Sequence, residues 1–149
     1  MSKAQYLSRT LQEYLKSIYR LKVEQGKKVT RVKDIASELK VTMPSVTDAM
    51  KRLSKLGLVH YERYGFIDLT YEGEKLAREL YDRWMVLKHL LHDILGVPED
   101  KASTDACKIE HDLSKETAEK IALLTLFIDN CLSEELKSKL KLFIESRKC

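Results

Sequence analysis

The sequence predicts a mainly α protein in two halves: three helices and a short hairpin, then an all-helical remainder. Three observations lead there. Apolar residues recur at helical three-to-four spacing through most of the 149 residues, and the pattern turns β-favouring only between about Leu58 and Leu69. The charge changes sign at the same place: residues 1–70 hold 14 Lys+Arg against 7 Asp+Glu, and residues 71–149 hold 13 against 16. An overall charge of +4 therefore conceals a basic half at +7 and an acidic half at −3. The boundary is expected near Thr70, giving domains 1–70 and 71–149.

The first helix is expected over residues 9–25, with Leu11, Tyr14, Leu15, Ile18, Tyr19 and Leu21 inward and Gly26 as its stop. After a basic connection, Lys27 to Arg31, Thr30 is read as the cap of a short helix whose Val32, Ile35, Ala36 and Leu39 share one face. Pro44 suits the first turn of a third helix, where a missing N–H goes unpaired anyway. That helix turns Val46, Ala49, Met50, Leu53 and Leu56 inward and stops at Gly57. Val59, Tyr61, Tyr64, Phe66, Ile67 and Leu69 then suggest two strands turning near Arg63-Tyr64-Gly65. A long helix runs from Thr70 to about Leu95, followed by helices over 99–112, 115–130 and 134–146. Ser114 caps the second of these, and Leu136, Leu140 and Phe143 form a stripe on the last.

Composition removes several classes. With 44% apolar and 34% charged residues and only 5 Gly and 2 Pro, the chain is neither disordered nor low-complexity. Its longest apolar runs, Ile121 to Leu124 and Leu126 to Ile128, fall far below the ~20 residues of a membrane span. The opening Met1 to Tyr6 lacks an apolar core of signal-peptide type. Three scattered cysteines, Cys107, Cys131 and Cys149, fit reduced thiols in a cytoplasm better than disulfides.

Short helix, turn, amphipathic helix and hairpin make the layout of a winged helix-turn-helix, which presents one helix to the major groove of double-stranded DNA. The third helix leaves Ser45, Thr47, Asp48, Lys51, Arg52 and Lys55 outward. The expected DNA-contacting set is Thr42, Pro44, Ser45, Thr47, Lys51 and Arg52, with Arg63 and Tyr64 at the hairpin tip touching the flanking backbone or minor groove. Lys51 and Arg52 suit phosphates, which set register but carry little sequence information. Asp48 is anomalous there: it repels phosphate unless it accepts from a cytosine amino group or pairs with Arg52. A three-helix core with a solvated basic face explains the apolar pattern equally well; the layout, the turn and the +7 charge together favour DNA.

Cys107, Glu110 and His111 lie at i, i+3 and i+4, so on a helix they share a side. Thiolate, carboxylate and imidazole together suit a borderline divalent transition metal. The plain alternative is a small buried cysteine beside a Glu–His pair on a wet face. A fourth ligand has to come from another helix, and residues 9–25 offer Glu13.

Glu13-Tyr14-Leu15 with Ile18-Tyr19, Asp34-Ile35-Ala36, Pro44-Ser45-Val46-Thr47, Gly57-Leu58-Val59, Leu69-Thr70 with Gly73, Ile94-Leu95-Gly96 and Cys107 with Glu110-His111 follow in order. In that order and at those distances, the stretch from about Thr10 to Leu132 resembles the diphtheria-toxin-repressor family of metal-dependent transcriptional regulators. The resemblance implies a homodimer on a palindromic operator, with a metal joining the N-terminal helix to the dimerisation domain. It also implies a short form, without the small β-barrel that follows in larger iron-type relatives. Glu13 matches the N-terminal-helix ligand, which is Met in iron-type and Asp in manganese-type relatives. Cys107 matches Cys in the former and Glu in the latter; Glu110 and His111 match ligands common to both. The Cys107 carbonyl and a water are further ligands by analogy.

Where relatives build a second metal site, this chain carries Lys16, Trp84, Lys88 and Ser103. An ammonium has no lone pair to ligate a cation, so one metal per subunit is expected. His89 and His92 share a face and read more simply as ordinary surface or core histidines than as another site. Cys131 and Cys149 read as incidental. Soft Cys107 favours Fe(II), Co(II), Ni(II) or Zn(II), and hard Glu13 favours Mn(II) or Fe(II). Fe(II) satisfies both and ranks first, Mn(II) second, with Zn(II), Co(II) and Ni(II) as in-vitro ligands. No Gly-rich loop, nucleophile elbow or His-Glu-x-x-His pattern supports an enzyme or a small-molecule substrate. The rival regulator is a metal-independent winged helix answering to a small molecule or to oxidation of Cys107.

Overall fold

The computed structural model describes residues 6–148; Met1–Gln5 and Cys149, and the readings made on them, lie outside. Contacts divide the chain into two units, Met1–Tyr81 and Asp82–Cys149.

In the first unit α1 spans Arg9–Gln25, capped by Ser8, whose Oγ accepts from Leu11 N, and closed by Gly26 at φ 64°. Next come α2 (Val32–Leu39) and α3 (Met43–Lys55), joined by a tight turn through Lys40, itself left-handed at φ 54°. Strands β1 (Val59–Tyr61) and β2 (Ile67–Leu69) pair antiparallel in the register Val59↔Leu69, His60↔Asp68, Tyr61↔Ile67. Leu11, Leu15, Ile18 and Leu21 of α1 meet Ile35, Val46, Met50, Leu53 and Ile67 in one core, with Leu76, Ala77 and Leu80 closing it. Leu15, Ile35, Val46, Met50, Leu53 and Ile67 have no exposed surface. Burial of a side chain of this size stabilises by ~1.5–3 kcal/mol, so this cluster holds α3 in place.

Two expectations on the elements fail here. Thr30 does not cap α2; it makes an antiparallel bridge to Ile67, with Ile67 N donating to Thr30 O at 2.7 Å, and Arg31 becomes the cap residue. The extended backbone needed for that pairing takes Thr30 away from the helix start. Leu56 is not inward but 55% exposed, because α3 has ended at Lys55 and the chain is already turning through Gly57 at φ 71°.

Helix α4 (Tyr71–His89) continues into a π-helical turn, Leu90–Ile94, ending at Gly96. In the second unit α5 (Glu99–Asp112) follows, then α6 (Lys115–Cys131), capped by Ser114, and α7 (Glu134–Ser146), capped by Ser133. Trp84, Leu87, Ile94, Ala102 and Ala106 are its buried apolar residues. Much apolar surface is left over: Leu123, Leu124, Leu126 and Phe127 on α6 are each more than half exposed, and on α7 Leu136 and Phe143 are nearly so. Exposed apolar area on this scale marks a partner surface. No described helix is long and apolar enough to cross a membrane.

Candidate metal centre and nucleic-acid interface

One helical turn separates Cys107 from Glu110 and His111, so α5 presents all three on one side. Their ligating atoms all lie within 4.8 Å of one another. The Glu110 and His111 side chains are buried, 0% and 4% exposed, with His111 Nε2 3.7 Å from Glu110 Oε1. Cys107 is half-buried. Thiol, carboxylate and imidazole are the donor types that a borderline divalent cation takes, and burial of the Glu110 and His111 side chains strengthens their hold on its charge. The donor set therefore fits a metal.

Glu13 lies half-buried on α1, its Oε1 2.7 Å from Lys16 Nζ. Lys16 is 5% exposed, so a buried ammonium accompanies this carboxylate one turn away on the same helix. Lys88 Nζ is 2.9 Å from Glu99 Oε1 and 5.5 Å from the Trp84 ring centroid. The Trp84 indole N–H donates to Ser103 O at 3.1 Å. Trp84, Lys88 and Ser103 thus form a structural knot of ring, cation and carbonyl. His89 is held between Asp93 (Nδ1, 2.8 Å) and Asp129 (Nε2, 2.9 Å), and His92 Nδ1 lies 2.8 Å from Val97 O. Burial pulls the His89 pKa down, but the two carboxylates outweigh it and leave it raised. Both histidine rings are engaged by polar groups of their own unit. Cys131 is exposed.

On the first unit, α3 faces outward with Thr42, Pro44, Ser45, Asp48, Lys51 and Arg52 exposed and Thr47 half-exposed. Thr42 caps the helix by accepting from Ser45 N, and its Oγ1 is 2.8 Å from Ser45 Oγ. The hairpin tip exposes Arg63 and Tyr64, with Tyr64 at φ 63° and 91% exposed. Thr47, Lys51, Arg63 and Tyr64 border one groove of about 670 Å³. Arg31 and Lys33 border it too, and neither was among the expected DNA contacts. The Lys27 to Arg31 basic run was the available signal for Arg31, whose guanidinium carbon lies 5.0 Å from the Phe66 ring centroid. Asp34, behind this surface, is pulled up by burial, but the Lys27 ammonium at 2.6 Å and the Arg31 N–H outweigh that and hold its carboxyl below the ordinary range.

Known proteins share both halves. The family model for the iron dependent repressor N-terminal DNA binding domain matches residues 6–66. The model for the iron dependent repressor metal binding and dimerisation domain matches residues 70–141. An HTH-type transcriptional regulator of Methanocaldococcus jannaschii is 34% identical over 117 residues, covering 78% of this chain and 93% of its own. The HTH-type transcriptional regulator MntR of Bacillus subtilis is 35% identical over 131 residues, covering 87% and 90%. Among solved structures, the manganese regulator SloR superposes with a TM-score of 0.67 at 28% identity, covering 78% of this chain and 54% of that one. T. acidophilum IdeR gives 0.65 at 25%, covering 76% and 53%, so the chain spans about half the length of these two structures. A winged reading unit and a metal-binding, dimerising unit are matched in the same order by the same family, and the chain belongs to the iron-dependent, or diphtheria-toxin, repressor family of metal-dependent transcriptional regulators.

Proposed function

We propose that this metal-dependent repressor holds one divalent cation per subunit on Glu13, Cys107, Glu110 and His111, and that loading tightens its grip on a palindromic operator. The observation that carries the reading is the convergence of the Cys107, Glu110 and His111 donor atoms on α5. Glu13 is the fourth ligand because it matches the family's N-terminal-helix position. When bound, a divalent cation supplies the positive charge that lets two carboxylates, a thiolate and an imidazole share one small volume. Fe(II) ranks first, satisfying soft Cys107 and hard Glu13 alike, and Mn(II), the metal named for SloR, ranks second. Zn(II), Co(II) and Ni(II) are in-vitro ligands of the same set.

The chain's own residues link that site to DNA. Glu13 shares α1 with Leu15 and Ile18, whose core partners Val46 and Met50 lie on α3. Anything that fixes α1 therefore fixes the helix carrying Thr47, Lys51 and Arg52. In the homodimer the exposed apolar residues of α6 are buried, and two reading helices address half-sites one turn, ~34 Å, or multiples apart. Domains 1–70 and 71–149 divide these tasks in a cytoplasmic regulator that processes no substrate. A coupling of ~1–3 kcal/mol changes operator affinity about 5- to 150-fold.

The test is an anaerobic gel shift on promoter DNA with chelator, then with Fe(II), Mn(II) or Zn(II). Binding should rise with metal in the wild type and stay at the chelated level in Glu13→Ala and His111→Ala. Equal binding in chelator and metal would remove the switch.

A further inference from the structure

Asp48 is the one carboxylate on the exposed, cation-rich face of α3, and the structure leaves it unclaimed. Arg52 stands at i+4 and Lys51 at i+3, yet among the described residues Asp48 has no ion pair or hydrogen bond. Several other acids of this unit are tied to cations: Asp34 to Lys27, Glu38 and Glu24 to Arg20, Glu74 to Lys22. Asp48 borders the groove shared by Arg31, Lys33, Lys51 and Arg63, where a carboxylate is repelled by any phosphate those cations hold.

Its neighbours narrow the role further. Ser45 Oγ is engaged with Thr42 Oγ1 in the cap. Thr47 and Asp48 are then the polar side chains of the helix's first two turns not engaged in its cap, with cations following at Lys51 and Arg52. An ionised carboxylate only accepts hydrogen bonds. In the major groove guanine offers acceptors at O6 and N7 and thymine one at O4, and both repel it. Adenine sets its amino group beside the N7 acceptor, whereas cytosine presents the N4 donor alone. We propose that Asp48 specifies cytosine, accepting from its exocyclic amino group at one position in each operator half-site. The proposal rests on α3 being the reading helix and adds which base it selects.

The test is selection from a randomised duplex library by the Mn(II)-loaded full chain, as wild type, Asp48→Asn and Asp48→Ala. Circular dichroism confirms that each variant folds, as an exposed position allows. Wild type should select one cytosine per half-site. Asp48→Asn should turn that position to adenine, whose N6 and N7 an amide reads together. Asp48→Ala should lose the preference while binding unselected duplex more tightly, since a repulsive charge is gone. On the selected site, replacing that cytosine should weaken the wild type about 5- to 150-fold and Asp48→Ala less than about 2-fold. An unchanged cytosine in both variants would overturn the assignment. Thr47→Ala and Lys51→Ala separate the two claims: if they weaken binding while Asp48 variants select as wild type does, α3 still reads DNA and Asp48 does not specify. If none of the four changes affinity or selection, the reading-helix assignment falls with it.

Discussion

Gly73 gives a prediction in which the sign itself decides. It lies in the first turn of α4, and a Cβ placed on it would sit 1.8 Å from Leu58 O and 2.8 Å from Leu58 C. Both are backbone atoms, so no side chain can swing aside. Either α4 or the segment entering β1 must retreat by roughly 1.2 Å for the oxygen to reach even 3.0 Å. Three bonds hold that junction: Thr70 N to Leu58 O at 3.1 Å, Thr70 Oγ1 to Gly57 O at 2.7 Å and Gly73 N to Thr70 Oγ1 at 3.0 Å. Overpacking costs about 1–3 kcal/mol and each weakened bond about 0.5–1.5 kcal/mol. Against this, alanine is favoured over glycine inside a helix by about 1 kcal/mol. With two of those three bonds weakened, the terms give a net loss of about 1–5 kcal/mol for Gly73→Ala, centred near 3 kcal/mol. At 4–8 °C per kcal/mol for a domain of this size, the central value lowers Tm by roughly 10–30 °C. Thermal melts by circular dichroism or calorimetry read this directly. A Tm that is unchanged or higher would mean that helix propensity governs Gly73, and the tight packing of α4 on Leu58 would be refuted.

Other consequences follow from the second unit and from Lys16. His89 has a raised pKa against its two carboxylates, so its contribution is complete below the unfolded value near 6.5 and fades as pH rises through the folded value. Its side chain is 37% exposed, which limits the effect to less than about 1 kcal/mol; Tm should drop from pH 6 to pH 8 more in the wild type than in His89→Gln. With the Lys16 ammonium buried 2.7 Å from Glu13, metal analysis after desalting should find one equivalent per chain, and a second tightly held ion would contradict that. Cys107→Asp replaces a soft donor with a hard one, so competition dialysis should show Zn(II) losing ground to Mn(II) relative to the wild type; an unchanged ratio would mean that the thiol is not a ligand.

Much of this was legible in the sequence because the signals were local. The spacing of Cys107, Glu110 and His111 is a property of one helical turn, and Pro98, Leu113 and Ser114 bound that helix in the sequence itself. The inward face of α3 followed from the positions of Val46, Ala49, Met50 and Leu53, all buried. What escaped was set at a distance. Thr30 has the side chain of a helix cap, but its backbone pairs with Ile67, 37 residues later, and the two backbone hydrogen bonds of that bridge outweigh the capping preference. The π-helical turn at Leu90–Ile94 is hidden in an apolar pattern that does not distinguish four-residue from five-residue bonding. Gly73 carries no mark of the carbonyl it must accommodate.

Lys16 shows how the same limit reaches the site. Its charge and its position one turn after Glu13 were plain, yet an i, i+3 Glu–Lys pair on a helix is ordinarily a solvated surface feature worth a few tenths of a kcal/mol. Here the lysine is 5% exposed, and burial changes the meaning of the pair. A buried ammonium needs an anion beside it, and Glu13 supplies one at 2.7 Å. Replacing Glu13 therefore removes a candidate ligand and also strips a buried cation of a partner. Glu13→Ala alone confounds the two losses, whereas adding Lys16→Met removes both charges together. If the double variant regains the stability lost in Glu13→Ala but not the response to metal, the carboxylate's work in the fold and its work as a ligand are separable.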